Sequence, residues 1–184
     1  MIFTPSHLTG AFEITLAPRG DHRGYFMRTW CHDAFAAHGL NQDWVQANES
    51  LSNEPGTVRG LHFQRPPHAE TKLVQCITGS VLDVMVDLRA GSPTYGQYHA
   101  AELSGNNHKC LYIPKGFAHG FCVINAPAII RYMVDHPYCP QAEDGLLWND
   151  PELGIPWPIS ANKFITSEKD ASWLRLADLQ PVKL

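Results

Sequence analysis

Apolar and polar side chains alternate along much of this chain, and Gly, Pro and Asn cut the pattern at short intervals. In one segment Leu82, Val84, Val86 and Leu88 share a face, while Asp83, Met85 and Asp87 share the other. Residues 73–77, 96–103, 109–113, 120–124 and 128–135 read as further strands. Thr78-Gly79-Ser80 reads as a hairpin turn joining 73–77 to 81–88. Turns are also expected at Ser104-Gly105-Asn106-Asn107 and Asn125-Ala126-Pro127. Many short strands at close spacing predict an all-β sandwich or jelly-roll barrel. One short helix is expected over 32–39, with Asp33 near its start and Gly39 closing it. From Tyr138 onward the chain is rich in Pro and Trp and is expected to wrap the barrel in loops and short turns. With no repeat, low-complexity tract or linker, residues 1–184 read as one domain with a sizeable core.

Charge and cysteine content narrow the function classes. The net charge is −4 and no block of like charges occurs, which argues against a nucleic-acid partner but not against a small anion in a local pocket. The five cysteines are scattered, with no C-x-x-C pair, so neither a zinc framework nor a disulfide ladder follows. No apolar run is long enough to span a membrane, and the N-terminus lacks a basic segment ahead of an apolar one. A reducing cytoplasm is the expected location.

Residues suited to chemistry fall in a few clusters. Val58-Arg59-Gly60-Leu61-His62-Phe63-Gln64 sets a base three residues from a cation, and Pro66-Pro67 and Lys72 follow. Asp21-His22-Arg23-Gly24-Tyr25-Phe26 places an arginine in a turn ahead of aromatics. Gln46 and Asn48 put two amides on one face of a strand. Pro114-Lys115-Gly116-Phe117-Ala118-His119 carries a second histidine in a Gly-flanked turn. Tyr132, Tyr138 and Ser167-Glu168-Lys169-Asp170 complete the set. Singly, each has a bland reading: a core histidine, a strand aromatic, a surface ion pair, a turn cap. The Pro114-x-Gly116-x-x-His119 spacing is similar to the second motif of cupin barrels, many of which hold a metal. The first motif would need a second histidine where Gln64 stands, and one imidazole with an amide is a poor transition-metal site, so no metal is expected.

The ordered set closely resembles the dTDP-4-dehydrorhamnose 3,5-epimerase family, a cupin-like branch of nucleotide-sugar enzymes. The matching segments include Asp21-x-Arg23-Gly24-x-Phe26, Gln46-x-Asn48-x-Ser50-x-Ser52, Arg59-Gly60-Leu61-His62-Phe63-Gln64-x-Pro66-Pro67 and Lys72-Leu73-Val74. They continue through Asp83-Val84-x-Val86-Asp87-x-Arg89, Gly116-Phe117-Ala118-His119-Gly120-Phe121, Tyr138-x-Pro140, Glu143, Trp148-Asn149-Asp150-Pro151 and Ser167-x-Lys169-Asp170. The resemblance implies a cupin-like jelly roll and epimerisation of a nucleoside-diphosphate 4-keto-6-deoxyhexose at C3, C5 or both. It implies that His62 is the general base, oriented by Asp170, and that Tyr132 is the opposing acid. Arg23 and Arg59 resemble the diphosphate ligands, and Phe26 and Tyr138 the aromatics around the nucleobase. Gln46, Asn48, Lys72, His119, Glu143 and Lys169 match other substrate contacts. It also implies a homodimer in which an N-terminal segment crosses to the partner's site.

The residue types suit that chemistry on their own terms. A ketone at C4 acidifies the C–H bonds at C3 and C5, because the carbanion delocalises onto oxygen. Imidazole, with an ordinary pKa of about 6.5, is available as a base near neutrality. Lys72 is a cation for the enolate oxygen, and inversion needs a second group that returns the proton on the opposite face. No redox cofactor is required, in keeping with the lack of a Gly-rich dinucleotide motif.

One departure bears on the nucleotide. The family's Phe-Phe-Glu appears here as Phe26-Met27-Arg28, replacing an acceptor for thymine N3–H with a group that only donates. Arg28 either meets the acceptor edge of cytosine, which makes the substrate CDP-linked, or turns to phosphate or Glu143 and leaves dTDP recognition to other groups. Two further classes stand beside the epimerase: a non-catalytic sugar-nucleotide binding module and a metal-dependent cupin dioxygenase.

Overall fold

The structure, a computed structural model, describes residues 1–40, 43–159 and 163–184. Eleven strands are described: β1 (Ile2–Pro5), β2 (Phe12–Thr15), β3 (Arg19–Asp21), β4 (Gly24–Phe26), β5 (Gln46–Ser52), β6 (Val58–Gln64), β7 (Lys72–Asp87), β8 (Tyr98–Ser104), β9 (Lys109–Ile113), β10 (Phe117–Val134) and β11 (Glu143–Gly145). The helices are α1 (His32–Ala36), α2 (Glu168–Ala171) and a 3-10 turn at Leu176–Asp178. All pairings between these strands are antiparallel. This is the all-β, cupin-like architecture expected from the sequence.

Two long strands organise it, and here the expected turns need correction. Thr78-Gly79-Ser80 is not a hairpin. The chain runs on through it as β7, and Asn125-Ala126-Pro127 lies likewise within β10. The two strands pair along their lengths, with register shifts between Val123 and Ile130 of β10, where both bend. Gly79 permits the bend: its φ is +73°, and a Cβ there would lie 2.4 Å from the Asn125 carbonyl oxygen. The local turn chemistry was read correctly, but pairing between two bent strands overrode the reversal.

Each half of these strands belongs to a different wall. Residues 72–78 of β7 and 129–134 of β10 join β1, β2, β9 and β5 in one sheet. Residues 80–87 and 117–125 join β8, β6 and β11 in the other. Side chains between the walls, including Val81, Met85, Leu111, Phe117, Phe121 and Ile130, form the central core. The opposite face of β7 is buried as well. Val84, Val86 and Leu88 pack under Trp148, Leu153, Leu176 and Val182, so the C-terminal third covers the second sheet as anticipated. The helix forms one turn shorter than expected. Gly39, at φ +67°, closes it by donating its N–H to the Ala36 carbonyl.

Asp87 ends β7 fully buried, and its carboxylate accepts from the Arg89 amide, Arg89 Nε and Nη2, Ser92 Oγ and Thr94 Oγ1 at 2.6–3.0 Å. Burial works against its ionisation, yet these donors prevail and draw the pKa from 3.8 to about 2. No helix among the described residues is long and apolar enough to cross a membrane.

Two outcomes follow from these features. Gly79→Ala should lower unfolding free energy by about 2 kcal/mol or more, read from urea midpoints, because it combines positive φ with a backbone clash. Asp87 binds its proton less readily folded than unfolded, so its contribution is complete above about pH 4 and is lost as pH falls towards 2. That contribution is about 2 kcal/mol. Urea unfolding at a series of acidic pH values should therefore show a shallower acid limb for Asp87→Asn.

Candidate active site

A regular strand would place Arg59 and His62, three residues apart, on opposite faces. Gly60 resets the alternation. Its φ is +128°, a Cβ on it would lie 2.6 Å from the Gly120 Cα, and the β6–β10 register slips between His119 and Phe121. As a result Arg59, His62 and Gln64 turn inward, while Val58, Leu61 and Phe63 join the covered outer face.

The cavity between the walls has two lobes, about 510 and 310 Å³ in volume. Three side chains border both: His62 from the second sheet, and Lys72 and Tyr132 from the first. His62 Nε2 is 2.6 Å from Asp170 Oδ1. With Nε2–H given to the carboxylate, Nδ1 carries the ring's free lone pair. Asp170 is set by α2, where Ser167 Oγ caps its backbone N–H at 3.0 Å. Its other oxygen accepts from the Gly60 amide at 3.3 Å. Burial would raise the Asp170 pKa, but the His62 contact and the Gly60 amide outweigh it and hold the carboxyl below its ordinary value. Trp173 packs edge-on to the imidazole at 6.1 Å between ring centres, in the space left by Gly145.

A second imidazole–carboxylate pair stands beside the first. His119 is the register partner of His62, and its Nε2 lies 2.9 Å from Oδ1 of the fully buried Asp83. Lys72, expected at a strand opening, is 7% exposed rather than solvated. Its ammonium is 3.1 Å from Glu70 and donates to the His62 carbonyl at 3.3 Å. Burial raises the Tyr132 phenol above its ordinary pKa; Glu70 and Glu143 add to this and Arg59 opposes it. Arg59 donates to neutral acceptors, Ser52 Oγ and the Leu51 carbonyl, each at 3.1 Å. Lys169 also borders the larger lobe, where Arg59, Lys72 and His119 lie.

The smaller lobe is lined by amides and carboxylates. Gln46 donates to Asn48 at 2.9 Å, and Tyr138 and Lys169 both donate to Glu143 at 2.5 Å. Burial pushes the Glu143 pKa up, but Lys169 and Tyr138 prevail and lower it. Gln64 spends its amide on the His68 and Pro137 carbonyls, Glu70 and the Cys139 N–H, so none of it is left over as a metal ligand. Among the described residues no group of three His, Cys, Asp or Glu side chains is placed to hold a metal ion.

The structure thus gathers His62, Tyr132, Asp170, Gln46, Asn48, Arg59, Lys72, His119, Tyr138, Glu143 and Lys169 around one cavity. It does not bring Arg23, Phe26 or Arg28 there within a single chain. Arg23 sits in the β3–β4 hairpin, paired with Asp21 at 2.6 Å and exposed. Phe26 and Arg28 line a separate hollow beside α1, with Arg19 and His38. Arg28 does not meet Glu143 in this chain: it lines the hollow beside α1, whereas Glu143 lines the smaller lobe and accepts from Tyr138 and Lys169. Sequence reasoning missed Glu70 as a cavity group and Asp83 as the buried partner of His119. Asp83 stood in a quoted motif, and its place on the same strand face as Met85 was the available signal.

A β-barrel whose cavity is bordered by a carboxylate-held imidazole and a half-buried phenol, beside several cations, has the parts of a proton-transferring isomerase. Comparison with known proteins identifies the kind. The family model described as dTDP-4-dehydrorhamnose 3,5-epimerase matches residues 5–178. A dTDP-4-dehydrorhamnose 3,5-epimerase of Sinorhizobium fredii is 48% identical over 160 residues, covering 87% of this chain and 82% of the relative. One from Methanothermobacter thermautotrophicus is 42% identical and covers 99% and 97%. The crystal structure of the Legionella pneumophila enzyme in complex with dTDP-4-keto-L-rhamnose superposes with a TM-score of 0.93 at 35% identity, covering 100% and 98%. The chain belongs to the dTDP-4-dehydrorhamnose 3,5-epimerase family and is an isomerase, a carbohydrate epimerase.

Proposed function

We propose that this chain inverts C3 and C5 of a dTDP-linked 4-keto-6-deoxyhexose, with His62 removing the proton and Tyr132 supplying one from the opposite face. The observation that carries the reading is that these two side chains border the same two lobes, His62 from β6 and Tyr132 from the part of β10 beyond its register shifts. His62 Nδ1 takes the proton α to the ketone, and Asp170 stabilises the imidazolium that forms. Lys72 offers an N–H to the oxygen on which the enolate charge collects. Tyr132, held as a phenol, protonates the far face; the phenolate then takes a proton from solvent and the His62 imidazolium releases one to solvent before the next centre reacts. Arg59 carries no carboxylate partner and is suited to the diphosphate. The dTDP-linked assignment is supported by the relatives' names and the sugar nucleotide bound to the Legionella protein.

Nucleotide binding is completed, in this reading, by a second copy of the chain. The β3–β4 hairpin carries Arg23 and Phe26 away from the cavity, and Phe26 is 68% exposed. In a homodimer the hairpin reaches the partner's nucleotide site, where Arg28 donates to phosphate or to the nucleobase. A cytoplasmic location fits the five free cysteines.

Incubation in D2O with paired dTDP- and CDP-linked 4-keto sugars, followed by NMR, tests the reaction. Deuterium should enter at C3 and C5 of the dTDP substrate. His62→Ala should slow both exchange and inversion by about 10²–10⁴-fold. Tyr132→Phe should keep exchange on the His62 side while losing net inversion, and normal inversion by this variant would refute the acid role. The dimer is tested by mixing Arg23→Ala with His62→Ala, each impaired alone. Heterodimers that pair an intact His62 with the partner's intact Arg23 should recover activity; additive residual rates would mean that each chain completes its own site.

A further inference from the structure

Glu70 stands inside the cavity with no part in the reaction as assigned above. It borders the smaller lobe with Lys72 and Tyr132, and its side chain is 11% exposed. One oxygen pairs with Lys72 Nζ at 3.1 Å, and the other accepts from Gln64 Nε2 at 2.7 Å. The ammonium has three N–H groups. Held by Glu70 and by the His62 carbonyl, it keeps at least one of them for a ligand.

We propose that Glu70 is a positioning residue for the epimerisation: held by Gln64, it aims the remaining donor of Lys72 at the sugar's carbonyl oxygen, in the lobe that Tyr132 also borders. The inference rests on Tyr132 being the acid. A fixed negative charge beside a phenol opposes a second one forming there. The ionisable groups around Tyr132 are Glu70 and Glu143, which favour the phenol, Arg59, which favours the phenolate, and His62 and Lys72 on the shared cavity wall. Burial is the largest influence, and Glu70 is the leading charge. Glu70 therefore acts on both partners of the transfer. It directs the cation that receives the enolate charge, and its negative charge opposes ionisation of the phenol in the same lobe.

Glu70→Gln isolates the charge, because a glutamine oxygen still accepts from Gln64. With the dTDP-linked 4-keto sugar, KM should stay within about twofold of the parent and kcat should fall about tenfold. The alkaline limb of the kcat–pH profile should move to lower pH, since the phenol then ionises more easily. A purely structural role would lower stability and leave that limb in place, and an unmoved limb overturns the proposal. If the variant fails to fold, Glu70→Asp decides: it keeps the charge but draws it back from Lys72, so kcat should fall with KM little changed, and an unchanged kcat overturns the proposal. An unmoved limb together with a Tyr132→Phe variant that cannot invert rejects only the role of Glu70. Full inversion by Tyr132→Phe rejects the acid assignment itself.

Discussion

Where β6 crosses β10, Gly60 and Gly120 meet so closely that a Cβ on either would lie within 3 Å of the other's Cα. No side chain larger than hydrogen fits between those backbones. The consequence is chemical as well as steric. Strand alternation slips by one at this crossing, so the arginine before it and the histidine after it enter one cavity. Leu61 and Phe63 still reach the outer core. The Gly60 amide also donates to Asp170, tying the carboxylate behind His62 to the same crossing. His62, Asp170 and Arg59 are thus positioned by one contact between two glycines.

Charge in the cavity is arranged in pairs. His62 meets Asp170, His119 meets Asp83, Lys72 meets Glu70, and Lys169 meets Glu143. A half-buried ion without a partner carries a desolvation cost of several kcal/mol, so pairing lets this density of ionisable groups coexist with a packed barrel. Arg59 is the exception, bonded to a hydroxyl and a carbonyl. Among the described residues no carboxylate is paired with it, and its guanidinium borders the larger lobe. The balance gives the two lobes different characters. Cations border the larger one, and amides with carboxylates border the smaller, with His62, Lys72 and Tyr132 at their junction.

The face alternation of residues 82–88 was legible in the sequence because period two survives any arrangement of neighbouring strands. The turn at Ser104–Asn107 was legible too, since Asn107 and Ser104 exchange hydrogen bonds within the loop itself. Gly79 misled for the opposite reason. Its conformation is local, but whether the chain reverses there depends on residues 123–130, far along the sequence. The site divides along the same line. His62 and Asp170 could be named from their motifs, while their 2.6 Å contact spans 108 residues and exists only in the folded chain. Glu70 was invisible as a cavity group because it sits in a loop between strands, where the ordinary expectation for glutamate is solvent.

The N-terminal hairpin shows what one chain leaves unfinished. Every residue of β3 and β4 is exposed, including Tyr25 and Phe26, and the two strands pair only with each other. An isolated two-stranded ribbon is marginal in water, and aromatic side chains on it gain little unless another surface covers them. Tyr138 is similarly exposed at the mouth of the smaller lobe. A second copy presenting its hairpin there would add an aromatic beside Tyr138 and an arginine to a lobe that has none among its described lining residues. The same contact that buried the ribbon would then close the nucleotide end of the site, linking assembly to substrate binding through one segment.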